Sequence, residues 1–207
     1  MPRNRNAITY RTCRTASLKR RLSHVLARRK LIFAYLEEIV DMQGDVDAFG
    51  FKLMYGQARR YPEVVDWCKD HQVRIVHLVR RNTLKMIVSR EIAKRRGVYL
   101  STRSLKPVKV MLKTKGLVLE LERLESIVDK YRKAFSSNCC LDVEYEQLIS
   151  NYDGETNRIL DFLGIEPDGS LRSKLVKTSS DSLMELVENY QHVCAALRGS
   201  PYEILLD

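Results

Sequence analysis

Val73 to Ala93 reads VRIVHLVRRNTLKMIVSREIA, and this stretch decides the fold class. Val73 to Val79 is short, rich in β-branched residues and bounded by polar positions, which predicts a strand. Arg80 and Arg81 follow, then Asn82, then a run to about Arg95 that predicts a helix with Asn82 as its cap. In open α/β sheets, ligands bind beyond the carboxyl ends of the strands. Arg81 stands at that point, and a guanidinium grips a phosphate with two parallel hydrogen bonds. The N-terminus of the capped helix points into the same crevice and favours an anion. Ser89 lies six residues beyond Thr83, under two turns along the helix, so its hydroxyl can face the same side. On the residues alone, Arg81 is either an anion ligand or a solvated loop arginine, and Ser89 either a second ligand or a spacer.

Working outward, strand and helix signals alternate. Residues 16–43 predict two helices, one with Leu22, Val25 and Leu26 on its apolar face, the next with Ile32, Phe33, Leu36, Ile39 and Val40, ended by Gly44. Ala48 to Met54 (AFGFKLM) predicts a short strand, and Pro62 opens a helix through Lys69. Residues 98–113 read as a loop or a hairpin. Gly116 to Phe135 is the longest helix signal; its stripe Leu117, Leu121, Leu124, Val128, Tyr131 and Phe135 either packs on the domain or forms a dimer seam, which leaves a homodimer open. Leu141 to Tyr145 is a third strand candidate, followed by a helix from about Glu155 to Leu163. The last helix begins near Asp181, where Ser182-x-x-Glu185 has capping-box spacing, and carries one apolar face from Leu183 to Leu197. The alternation predicts one α/β domain over residues 15–207 with a parallel or mostly parallel sheet, behind a basic arm at residues 1–14.

Composition narrows the class. The chain has 207 residues, 44% apolar and 30% charged, which suits a globular domain and excludes collagen-like and wholly disordered chains. No apolar run is long enough for a membrane span, and the expected location is the cytoplasm. The net charge of +10 sits entirely in residues 1–36, which hold ten Lys or Arg and no acid. The body is balanced, so any anion site there must be local. Five cysteines without regular spacing argue against a disulfide framework, and four scattered histidines argue against a zinc site. A basic arm is also compatible with a polyanion-binding role, but no nucleic-acid-binding motif is visible, and none is expected as a partner.

Arg81-Asn82 followed by Ser89 after a hydrophobic strand resembles the 3′-phosphate motif of sulfotransferases, which use 3′-phosphoadenosine 5′-phosphosulfate (PAPS). Three further stretches agree in order. AFGFKLMYGQ (Ala48 to Gln57) resembles the preceding strand of the bacterial Stf0/NodH-like branch. VEYEQLI (Val143 to Ile149) with ILDFLGIEPD (Ile159 to Asp168) resembles the family's "YEDL … FLGL" region, and ENYQHVCAALRGSPYE (Glu188 to Glu203) resembles the end of that branch. The resemblance covers roughly residues 15–207 and implies a P-loop-kinase-like, mostly parallel sheet flanked by helices. It implies sulfuryl transfer from PAPS to a hydroxyl of a carbohydrate or glycolipid, without a metal. Arg81 and Ser89 would hold the donor's 3′-phosphate, with Arg198 and Gly199 as a further contact recognised on two residues only. Arg198-Gly199 reads equally as a helix C-terminus with a glycine just beyond it.

The sequence departs from the family at two places. A loop that cradles the 5′-phosphosulfate needs glycine, and the first glycine here is Gly44. The expectation is therefore that the N-terminal strand–loop–helix is missing. At the strand matching Phe51 to Met54, Lys52 is the matched lysine, with a possible electrostatic role or a snorkelling strand-edge role, and Met54 stands where cytosolic family members carry histidine, whereas the bacterial branch places a glutamate base near the first helix, in the missing piece. Methionine cannot take a proton, so no catalytic base is assigned. The alternative is a noncatalytic protein that binds 3′-phosphoadenosine nucleotides or polyanions.

Overall fold

The computed structural model describes residues 18–44, 46, 48–99, 103, 107–166 and 182–206, with side chains from Val25 onward. The basic arm at residues 1–14 lies outside them. Among the described residues the chain is helix-rich α/β. In order come α1 (Leu18–Asp41), α2 (Tyr55–Arg60), α3 (Pro62–Asp70), β1 (Ile75–Val79), α4 (Thr83–Arg96), α5 (Leu117–Ala134), β2 (Cys140–Glu144), α6 (Tyr145–Ser150), α7 (Tyr152–Leu163), α8 (Leu183–Leu186) and α9 (Tyr190–Leu197). A 3-10 turn, Glu203–Leu206, follows α9.

β1 and β2 pair in parallel, with Ile75 opposite Cys140 and Val79 opposite Glu144. Both strands therefore end at one edge of the molecule, as the alternation of elements predicted. One face carries Ile75, His77 and Val79 beside Cys140, Asp142 and Glu144. The other carries Val76 and Leu78, which stay 38% and 52% exposed.

α5 joins two cores. Its first half buries Leu117 and Leu121 against Leu84, Val88 and Ile92 of α4, Val110 and Leu112, and Val193 and Leu197 of α9. Its second half buries Tyr131 and Phe135 against Leu36 of α1 and Val65, Trp67 and Cys68 of α3. The apolar stripe of α5 is thus packed within the domain, with Leu121 at 0% exposure.

Three expectations are corrected. Residues 16–43 do not break into two helices: α1 is one helix, because neither glycine nor proline interrupts it before Gly44. Ala48 to Met54 is not a strand, since its described backbone finds no ladder partner. It runs extended into α2, where the Gln57 side chain accepts from the Met54 N–H at 2.8 Å. The last helix is split, because Val187 leaves the helix to bridge Val110 in parallel. At its start the Ser182 side chain makes no cap hydrogen bond.

Candidate anion-binding site

The carboxyl ends of β1 and β2 open onto the first turn of α4. Asn82 caps α4: its Oδ1 accepts from the Lys85 N–H at 2.8 Å. Its Nδ2 donates to the Leu205 carbonyl at 2.9 Å, which pins the C-terminal 3-10 turn to the start of α4. Next to the cap, the Thr83 hydroxyl is buried and has no hydrogen-bond partner among the described protein groups.

Arg81 stands where the sequence places it and is 67% exposed at its side chain. Its Nη2 lies 2.8 Å from Glu144 Oε1, across from the end of β1. The Arg81 and Asn82 N–H groups donate to the two oxygens of Glu146, at 3.0 and 3.2 Å. Arg80 sits 3.9 Å from the same carboxylate and stacks its guanidinium over Tyr145. Burial pushes the Glu146 carboxyl up, but the backbone N–H bonds and Arg80 outweigh it and hold the group below its ordinary value. The backbone donors of the loop are therefore taken by an internal carboxylate. The Arg81 guanidinium remains accessible but carries its own counter-ion.

Ser89 is half-buried on α4, on the line that runs through Asn82 and Lys85. The helical rise puts it about 10 Å along the axis from the cap. Arg198 caps the C-terminus of α9, and Gly199 follows at φ +71°, a left-handed conformation that suits glycine. The Gly199 N–H donates to Glu203 Oε2 at 2.8 Å, within the segment that Asn82 holds against α4. Lys52 is exposed and lines a different feature, an apolar groove with Tyr35, Ile39, Phe49, Phe51 and Trp67.

Two groups of functional interest were not foreseen. Glu144 and Glu146 are the first, and the signal for them was present: V-E-Y-E closes a strand whose carboxyl end meets that of β1. The second is a hydrogen-bonded chain across the sheet. Tyr55 Oη lies 2.7 Å from His77 Nε2, and His77 Nδ1 lies 2.9 Å from Asp142 Oδ1. Arg132 Nε donates to the other Asp142 oxygen at 3.0 Å. With Asp142 ionised, Nδ1–H of His77 donates to it and the Tyr55 hydroxyl donates to Nε2, so the ring is held between the two side chains. Burial pushes the Tyr55 phenol up, with Arg132 opposing, so Tyr55 keeps its proton near neutrality. No group of three or more His, Cys, Asp or Glu among the described residues is placed to hold a metal ion.

Residues 72–169 match a family model described as "Sulfotransferase family". The matched span contains β1, the Arg81 crevice, Ser89 and both Glu144 and Glu146, and it ends before Arg198. It supports a sulfotransferase family, and with it a transferase. No curated protein and no solved structure matches the chain.

Proposed function

We propose that the chain is a PAPS-dependent sulfotransferase of the bacterial Stf0/NodH-like branch, with a P-loop-kinase-like sheet, that transfers a sulfuryl group to a hydroxyl of a carbohydrate or glycolipid. The observation that carries the reading is the position of Arg81, exposed at the carboxyl end of β1 beside the capped start of α4, inside the span that matches the family. In this reading Arg81 and Ser89 bind the 3′-phosphate from two sides of the crevice. The Arg198–Gly199 turn approaches from the C-terminal segment. The acceptor oxygen attacks sulfur in line, the bond from sulfur to the 5′-phosphate oxygen breaks, and adenosine 3′,5′-bisphosphate leaves. Positive groups stabilise the charge that develops on the leaving phosphate. The protein acts in the cytoplasm as a single domain over residues 15–207, and no metal enters the reaction.

A second reading rests on Met54. It is half-exposed just before α2, where cytosolic family members carry a histidine, and it cannot take a proton. In that reading the chain binds the nucleotide without turnover.

Calorimetric titration of adenosine 3′,5′-bisphosphate into the wild type and Arg81→Ala tests both. Binding that weakens about 10- to 100-fold in the variant, the loss typical of a charged hydrogen-bonding group, supports the 3′-phosphate subsite. Equal binding by both proteins, or none by folded wild type, overturns it. Sulfuryl transfer from PAPS by a binding-competent protein then separates the enzyme from the noncatalytic binder.

A further inference from the structure

A second acid-free stretch runs through the body of the chain. Residues 92–119 hold eight Lys or Arg and no Asp or Glu. Its described part after α4 is a ledge of alternating exposure. Val110 and Leu112 point inward at 3% and 4% exposure, while Lys109, Met111, Lys113 and Lys115 face out. The ledge is fastened from behind. The Val110 N–H donates to the Leu186 carbonyl, and the Glu188 N–H donates to the Val110 carbonyl, at 2.8 and 2.9 Å. The Asn189 side chain bonds both the N–H and the carbonyl of Leu112. Arg95 donates to the Lys109 carbonyl at 2.6 Å.

The acids around it are already paired: Glu91 with Lys94 and Arg90, Glu120 with Arg90, and Glu188 with Arg95. No ion pair among the described residues involves Lys109, Lys113 or Lys115. Between and beside these cations stand two apolar side chains, Met111 at 69% and Leu119, in the first turn of α5, at 64% exposure. Arg95, which holds Lys109, stands near the end of α4 opposite Asn82.

We propose that the outward row Lys109, Met111, Lys113 and Lys115, with Leu119 beside it, docks on an anionic lipid bilayer. The composition chooses this occupant. A dissolved polyanion would neutralise the lysines but leave Met111 and Leu119 in water. The headgroup region of an anionic membrane attracts the cations and takes in the apolar side chains between them. Single-stranded nucleic acid would instead call for aromatic stacking platforms, and the row has none. The fastened backbone presents the row in one orientation without an ordering step on binding.

Vesicle flotation tests this with the full chain. Phosphatidylcholine vesicles containing about a third phosphatidylserine, at about 0.1 M salt, should retain the protein, and pure phosphatidylcholine vesicles should not. K109Q/K113Q/K115Q should lose about 100-fold in binding, about fivefold per lysine. K69Q/K130Q/K133Q, which removes three cations elsewhere, should keep most of it, and circular dichroism should show both variants folded. M111S/L119S should weaken the binding that survives at about 0.5 M salt, where charge is screened. Wild-type binding by K109Q/K113Q/K115Q, or equal loss in the control triple, overturns the proposal. It is overturned too if M111S/L119S binds vesicles like wild type at high salt while heparin or oligothymidylate competes for the same lysines, since the row is then a polyanion surface. The nucleotide titration does not enter, so the two readings fail independently.

Discussion

Arg81 and Glu144 meet at 2.8 Å across the carboxyl ends of two parallel strands, so the cation nominated for a phosphate arrives with a carboxylate already attached. Any anionic ligand must displace or share that partner. Replacing Glu144 by Gln removes the competitor and keeps the shape. An ion pair this exposed is worth up to about 1 kcal/mol, so E144Q should tighten adenosine 3′,5′-bisphosphate binding by about two- to fivefold in calorimetry. In an Arg81→Ala background the gain should vanish. A gain that persists without Arg81 would mean that Glu144 acts by general repulsion and not through this pair.

Asn82 does two jobs with one side chain. Asn82→Ala should cost about 2 kcal/mol in urea unfolding, about half from the lost cap and half from the lost bond to Leu205. Asn82→Asp keeps the acceptor for Lys85 and loses the donor to Leu205, so it should cost roughly half as much. Trp67 is buried and is the single tryptophan, which makes its fluorescence the readout. Equal losses for the two variants would show that the 3-10 turn contributes everything and the cap nothing.

Acid should loosen the sheet end first. Burial pushes the Asp142 carboxyl up, but bonds from His77 and Arg132 outweigh it and hold the group below its ordinary value. Glu146 is likewise held below its ordinary value. For a carboxyl depressed in the folded state, the stabilisation is complete above its unfolded value and disappears as pH falls through the folded one. Urea midpoints should therefore be flat above about pH 5 and fall below about pH 4. Asp142→Asn should flatten part of that fall, whereas an unchanged slope would mean that Asp142 does not couple to folding.

Leu121 sits at 0% exposure between α4 and α9. Leu121→Ala should cost about 2–5 kcal/mol, measured by thermal or urea unfolding. A surface position such as Leu119, two residues away on the other face and 64% exposed, should cost well under 1 kcal/mol when changed to serine. That contrast also keeps the membrane test interpretable.

Part of the site was legible because its signals are local. The β-branched run of β1, the asparagine before α4 and the arginine between them lie within ten residues, and each acts through its own backbone. Periodicity likewise found α5 and the buried stripe on it. The errors fall where a distant segment decided. Ala48 to Met54 has strand-forming residues, but a strand needs a ladder partner and the described chain offers none. Val187 continues an apolar helical pattern, yet the backbone of Val110 offers it a parallel bridge, and the helix breaks there.

The sequence by itself determined the class of the molecule: parallel strands joined by helices, an asparagine-capped turn after β1, and a stretch resembling sulfotransferases. Local propensity and apolar spacing suffice for that, since both are properties of neighbours along the chain. Only the tertiary structure decided what faces Arg81. Glu144 and Glu146 are more than sixty residues away in sequence, and the register of β2 on β1 brings them to the crevice. The same register sets His77 against Asp142. Electrostatic partners are chosen by distance in space, and a pairing of strands fixes that distance only once both have folded onto each other.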